Sequence, residues 1–540
     1  MKFASRFPDV TIPEVPYHAL VLTNAVMVPD KPALIDGPSG RTLTYRDVES
    51  GARRIAASLA RRGFRQGDVF AIFLPNVPEY ALVFHGVLMA GGVVTTANPL
   101  YTAEELGFQL KDTRARFIVT LPSFFDKVAI AADRSGIEEI FVLGEAAGAT
   151  PIAALLQGDG VPPEIVIHPR TDLAVLPYSS GTSGRPKGVM LTHYNLVSIT
   201  RQIDGLGMRS LDESARVLAV LPFFHIYGMV VLMNLPLYRM ASCVTMPRFD
   251  LEQFLQIVQD RRVTHLYVVP PIVIALAKHE VVSRYDLTSV RLVNSGAAPL
   301  AAAVQNDAAR RLHAVVTQGY GMTETSVGIS ITPDQPDLVR AGSVGLLLPN
   351  MEARVVDPTS GADLGLRENG EIWVRGPNVM RGYLGNAAAD AEAFRDGTWF
   401  RTGDIGYVDE EGYFYIVDRI KELIKYKGMQ VAPSELEAVL LSHPAIAEGA
   451  VVPVLDEEAG EIPKAYVVLK AQIAPEEIID YVAARVAPHM KIRAVEIVDE
   501  LPKSPTGKLL RRVLIERERA KPAVGDLPKA SSGLATPRVP

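Results

Sequence analysis

Cysteine is almost missing from this chain: Cys243 is the only one in 540 residues. That excludes an intrachain disulfide and any multi-cysteine zinc site, and points to a reducing, cytoplasmic setting. Long apolar runs are missing too. The most hydrophobic stretches are cut by Asn234, Pro236 and Arg239, or by Pro270 and Pro271, and fall short of the roughly 20 uninterrupted apolar residues a spanning helix needs. The N-terminal stretch around Asp9, Pro13, Glu14 and Pro16 carries no apolar signal-peptide core. Basic excess is also absent, with 55 Lys and Arg against 61 Asp and Glu and a formal charge of −6. Nucleic acid is therefore not an expected partner, and an anionic ligand requires a local cluster of cations.

What is present is a globular balance, 48% apolar and 21% charged, in a chain long enough for several large cores. Strand-like and helix-like segments alternate over most of the first 420 residues, which predicts α/β layers with parallel sheets. Thr102 with Glu105 reads as a capping box opening a helix to about Lys111, with a strand at Phe117 to Thr120. Leu251 to Arg261 reads as an amphipathic helix and Val263 to Val269 as a buried strand. From about Gly361 to Tyr415, short strands punctuated by Gly and Asp predict a small antiparallel sheet or barrel. A smaller α/β pattern follows Asp418. There Ser434 and Glu437 read as a capping box, and Pro475 opens a helix with Ile478, Val482 and Val486 on one face. Expected boundaries are 1–418, a hinge over 419–425, a small domain over 426–520, and a disordered Pro- and Ala-rich tail over 521–540.

Chemistry concentrates in a few segments. Ser179, Ser180, Gly181, Thr182, Ser183, Gly184 and Lys187 lie between two apolar runs. Glycines admit close backbone approach, and consecutive amides, hydroxyls and a lysine suit a polyphosphate. No Gly-Lys-Ser/Thr triplet closes the loop, so it is not a Walker A loop; the plain alternative is a surface hairpin. In Gln318-Gly319-Tyr320-Gly321-Met322-Thr323-Glu324 the glycines allow a planar group to approach. Tyr320 can stack on such a group, and Thr323 and Glu324 offer oxygens to phosphate and a divalent ion; a buried tyrosine between turn glycines is the alternative. Asp404 after a Gly403 turn is suited to two vicinal hydroxyls or is an ordinary turn aspartate. Arg419, Lys421, Lys425 and Lys427 form a cationic run that also reads as a solvated linker. Lys508 follows Gly507 in a proline-stiffened loop and also reads as exposed surface; His225 sits among aromatics, as a packed core histidine would.

Spread over about residues 20 to 515 and in the same order, these segments together resemble the motifs of the adenylate-forming superfamily. That superfamily contains acyl-CoA synthetases, aryl-CoA ligases such as 4-coumarate:CoA ligase, luciferases and peptide-synthetase adenylation domains. The resemblance implies a large N-terminal domain of two doubly wound α/β subdomains plus a small β-barrel, and a small mobile α+β C-terminal domain. It implies ATP, Mg²⁺ and CoA. The loop from Ser179 to Lys187 would hold phosphates, Gln318, Gly319 and Tyr320 the adenine, Thr323 the α-phosphate and Glu324 the Mg²⁺. Asp404 and Arg419 would hold the ribose. Lys425 would face the adenylate, Lys421 would be the hinge, and Lys508 would steady charge as pyrophosphate leaves.

By the same resemblance, Tyr227, Val231, Asn294, Gly296, Ala297, Gly321, Val327 and Gly328 line an acyl pocket gated by His225, and Arg248, Lys427 and Gly428 meet CoA. The likeness is to the 4-coumarate ligase branch, with two departures. Val231 stands where plant-type coumarate ligases tend to have a small hydroxyl residue, and Thr325-Ser326-Val327-Gly328 replaces their Ala-Gly-Pro-Val-like run. The expected reaction is CoA-thioester formation on an aryl-propenoic acid, by a monomer or weak homodimer. A fatty acyl-CoA synthetase is the alternative, followed by a luciferase-like oxygenase and a catalytically silent acyl-binding protein.

Overall fold

In the strand Val69–Ile72 every side chain is buried, because alternation sends Phe70 and Ile72 into one core and Val69 and Ala71 into a second on the opposite face. A sheet packed on both faces in this way is what parallel strands with crossover helices build. The computed structural model describes residues 1–158, 160–179, 186–208, 210–427, 429–456, 458–503 and 509–520. Among them, this first sheet has eight strands in the spatial order Gly382–Tyr383, Lys187–Thr192, Leu173–Ser179, Val93–Thr96, Val69–Ile72, Ala115–Thr120, Glu139–Val142 and Thr150–Pro151. Its middle is parallel, and Lys187–Thr192 runs antiparallel to Leu173–Ser179.

A nine-stranded sheet repeats the plan. Pro32–Asp36, Ser242–Thr245, Arg216–Ala219, His265–Val268, Leu292–Ser295 and Val315–Tyr320 are parallel neighbours, with short antiparallel strands at both edges. The punctuated stretch forms a six-stranded antiparallel sheet that also recruits Lys2–Ala4, paired with Glu352–Val356. The carboxyl ends of Leu173–Ser179, Leu292–Ser295 and Val315–Tyr320 carry the chemistry-bearing segments, where open parallel sheets usually hold ligands.

Local signals place several helices closely. Thr102 and Glu105 cap each other, opening the helix Ala103–Thr113, and Asp250 caps Leu251–Asp260. The Ser434–Glu437 pattern behaves differently. Pro433 takes the first helical position of Pro433–Leu441, so the cap falls on Ala432, which has no acceptor side chain. The Glu437 carboxylate is turned instead to the Val451 amide (2.8 Å) and the Arg511 guanidinium (2.6 Å).

The chain divides into two compact units, one from Met1 to Lys421 and the other beginning at Glu422. The second is a five-stranded sheet built on Ile446–Asp456 and Gly460–Leu469, with a core that includes Ile424, Leu436, Leu440, Val451 and Ile478. The tail over 521–540 lies outside the described residues. No helix among the described residues is long and apolar enough to cross a membrane.

Candidate active site

In the first unit, the end of the strand Val315–Tyr320 and the segments after Leu292–Ser295 and Arg216–Ala219 converge on a narrow cavity. Of the predicted acyl-pocket residues, Tyr227, Val231, Asn294, Gly296, Ala297, Gly321, Val327 and Gly328 all line it, and so does His225. The local backbone explains the convergence. Gly228–Asn234 is a π-helical segment, a widened turn that is frequent at functional sites; Tyr227 stands at its start and donates its hydroxyl to Asn294 Oδ1 (3.1 Å). Burial, with Tyr267 beside it, pushes the Tyr227 phenol far up, so it is a neutral donor. His225 Nδ1 accepts the Tyr227 amide (3.3 Å), which fixes the ring at the cavity wall. At Gly321 a Cβ would sit 2.0 Å from the Val327 carbonyl oxygen, so the tight return of the chain to Val327 and Gly328 depends on glycine.

Two polar clusters are built on the same recognised segments. In the first, Tyr320 donates to Asp404 Oδ2 (2.7 Å), and Arg419 Nε donates to Asp404 Oδ1 (3.1 Å). Asp404 and Arg419 are register partners in adjacent antiparallel strands. Gly403 is not in a turn. Its φ of +72° lies inside the strand Trp399–Val408, where the register moves from Glu371↔Ile405 to Trp373↔Arg401. The surplus residues bulge and aim the buried Asp404 at Tyr320. Burial, and then Asp404, raise the Tyr320 phenol well above its ordinary value.

In the second cluster, Tyr383 donates to Glu324 Oε1 (3.0 Å), and Lys187 Nζ lies 4.9 Å from the centre of the Tyr383 ring. Thr323 is buried beside Glu324. Among the described residues no group of three or more His, Cys, Asp or Glu could hold a metal by itself. A lone carboxylate suits Mg²⁺, which is usually held by one or two carboxylates together with phosphate oxygens. Glu324, with Thr323, would hold it, and the ion would neutralise phosphate charge.

The other predicted residues fall as follows. Ser179 and Lys187 are register partners at the two ends of the loop, and Ser180, Gly181, Thr182 and Ser183 lie outside the described residues, as do Gly428 and Lys508. Gly319 lines the cavity, but the Gln318 side chain does not. Its amide donates to Leu300 O (3.2 Å) and Gln305 Oε1 (2.9 Å), which ties it to the 297–300 segment. Arg248 is exposed and not among the cavity-lining residues. Lys421 is exposed at the end of the first unit. In the second unit Lys425 is exposed, and Lys427 pairs with Glu458 (2.6 Å) at the surface.

Sequence reading missed Tyr383, which strand pairing brings opposite Val189, and Ile203, Met208, Tyr267 and Leu348 in the cavity wall. They lie outside the recognised segments and carry no local signal.

A largely apolar cavity with Gly296, Gly319, Gly321 and Gly328 in its wall, with Tyr320 of that wall bonded to Asp404, is an arrangement suited to an enzyme that takes a planar group and an apolar substrate. The comparisons agree. The AMP-binding enzyme profile matches residues 22–384 and the AMP-binding enzyme C-terminal domain profile matches 435–508; the chain belongs to the AMP-binding enzyme family. It is similar to 4-coumarate–CoA ligase 1 of Petroselinum crispum (41% identity, 98% of each chain) and to 4-coumarate–CoA ligase of Pinus taeda (41%, 96% of this chain and 98% of the relative). Among solved structures it resembles ATP-bound MatB from Rhodopseudomonas palustris, at 30% identity and a TM-score of 0.86 over 94% of this chain and 99% of that one. It also resembles the anthranilate CoA ligase AuaEII in complex with anthranoyl-AMP, at 27% and 0.87 over 94% and 98%.

Asp404→Ala is expected to lower kcat/KM for ATP by about 30- to 150-fold, because it leaves the Arg419 guanidinium and the Tyr320 hydroxyl facing each other without their shared acceptor, a loss of about 2–3 kcal/mol. Pyrophosphate exchange at varied ATP measures it. A change confined to the KM of the acid would contradict the ribose assignment.

Proposed function

We propose that the protein is an ATP-dependent carboxylate–CoA ligase acting on an aryl-propenoic acid of the 4-coumarate or cinnamate type. The observation that carries this reading is the cavity itself, apolar over most of its wall and lined also by Gly319, Tyr320 and Gly321, with Tyr320 bonded to Asp404. A free carboxylate resists thiol attack because its leaving group would be oxide. Activation splits the problem in two. The carboxylate attacks the α-phosphorus of ATP and pyrophosphate departs; the CoA thiol then attacks the acyl carbon and AMP departs.

Each residue has a part in this scheme. Asp404 and Arg419 hold the ribose, Tyr320 lies against the base, and Thr323, Lys187 and the 180–185 loop meet the phosphates. Glu324 would hold Mg²⁺, which would supply positive charge to the phosphate oxygens. Lys508 serves the first half-reaction, and Arg248, Lys427 and Gly428 serve CoA. The C-terminal unit turns about Lys421 between the two steps, one of two discrete states serving each. The enzyme works in the cytoplasm as a monomer or weak homodimer.

The second reading, a fatty acyl-CoA synthetase, is favoured by the apolar wall of Ile203, Met208, Leu235 and Leu348. A panel of cinnamic acids and fatty acids of graded length, with ATP, Mg²⁺ and CoA, separates the two. Pyrophosphate release and thioester formation greatest with the cinnamic acids are expected; a maximum at an aliphatic acid would displace the aryl assignment.

A further inference from the structure

One side chain in the cavity wall is chemically out of place. Tyr267 lies in His265–Val268, a central strand of the nine-stranded sheet, next to Asn294 in register. Its ring is 1% exposed and lines the cavity with Ile203, Met208, Val231 and Leu235. Its hydroxyl has no hydrogen-bond partner, and among the described cavity-lining side chains it is alone in this. The other polar groups there are engaged: Tyr227 with Asn294, Asn294 with Thr317, Tyr320 with Asp404, Ser330 with Val344. An unpartnered buried hydroxyl destabilises a protein, and phenylalanine would fill the same volume without that penalty.

The ring is held in place. It stacks on His265, with centroids 6.3 Å apart and planes at 21°, and His265 is fixed in turn by Ser210 (3.0 Å) and Thr264 (2.8 Å). A rigid donor-acceptor set into an apolar wall is the usual form of a specificity group in a ligand cavity.

We propose that the Tyr267 hydroxyl is a specificity-determining hydrogen-bond partner for a neutral oxygen carried by the acid at the end remote from its carboxylate. This rests on the carboxylate–CoA ligase reading. The remote oxygen must be a hydroxyl, ether or carbonyl and not a second carboxylate. Burial, and then the nearby Asp334 against a smaller opposing pull from Arg239, raise the Tyr267 phenol and keep it neutral, and the same Asp334 repels an anion.

The test is the ratio of kcat/KM for 4-coumarate over cinnamate, measured as CoA-thioester formation by the wild type and by Tyr267→Phe. The ratio is expected to fall about 10-fold in the variant, through the KM of the hydroxylated acid, because a site that pairs a substrate hydroxyl discriminates against its absence. The melting temperature should stay the same or rise, since the variant removes an unpaired group. An unchanged ratio overturns the assignment while leaving the ligase reading intact. If the wild type uses neither aryl acid but does use octanoate, the aryl reading falls on its own, and the same ratio for 8-hydroxyoctanoate over octanoate decides Tyr267. Turnover of none of the four acids overturns both.

Discussion

Lys508→Ala is expected to lower acyl-adenylate formation by about 10²- to 10³-fold while leaving thioester formation from supplied acyl-adenylate within a few-fold of the wild type. In the first half-reaction, negative charge redistributes over the α-phosphate as pyrophosphate departs, and a preorganised cation at that centre is worth about 2.7–4 kcal/mol. In the second, the phosphate is already part of a leaving AMP, and the new bond forms at carbon. Lys508 itself lies outside the described residues, but its flanks are well held. Lys503 bridges to Leu509, the Leu510 amide donates to Pro502 O (2.8 Å), and Arg511 is anchored by Glu437 and Glu422. Lys503 spends its charge on Glu448 (2.7 Å), which makes Lys503→Ala a control expected to keep both half-reactions. Pyrophosphate exchange and thioesterification of synthetic acyl-adenylate, run side by side, measure the split. Equal losses in both would remove Lys508 from the first step.

What was legible in the sequence was whatever a short contiguous stretch determines. The Thr102–Glu105 cap, the Leu251–Asp260 helix and the break near residue 420 all follow from neighbours a few positions apart. The residues that the family resemblance marks around Tyr227, Asn294 and Gly321 line one cavity, and they too come in short contiguous runs. Illegible features were those created by distant pairing. Lys2–Ala4 joins a sheet some 350 residues away, and the bulge at Gly403 exists only in the pairing of Gly370–Arg375 with Trp399–Val408. Tyr383 reaches Glu324 only through an edge strand, and Tyr267 reaches the cavity only because a whole sheet presents one face to it. Gln318 marks a subtler limit. Its motif was legible, but which way its amide turns was decided by Leu300 and Gln305.

The same burial that builds the first unit should make it acid-labile, because four histidines are enclosed where a charge cannot be solvated. His18, His85 and His193 lie in three helices and His265 in a central strand, and burial lowers them to about 4, 3, 3 and 4 respectively. His18 also opposes charge on both His85 and His193, while Asp172 favours it on His193 and Arg291 disfavours it on His265. The His85 ring is fully enclosed, with Asn234 weakly favouring its charged form against burial, and His193 Nδ1 accepts the Tyr17 amide (3.0 Å), a bond that protonation there would forbid. In the unfolded chain these groups take up protons near pH 6.5, whereas in the fold they stay neutral until about pH 4 or 3, so below pH 6.5 the unfolded state binds more protons. Their contribution to stability is complete above pH 6.5. It declines as pH falls toward 4, by up to about 1.4 kcal/mol per pH unit for each histidine. Urea denaturation between pH 7.5 and 5 is therefore expected to show little change above pH 7 and a steep loss below 6. His85→Leu should reduce that slope by about one proton's worth. A slope below pH 6 that is identical in the wild type and His85→Leu would place the acid sensitivity in other groups.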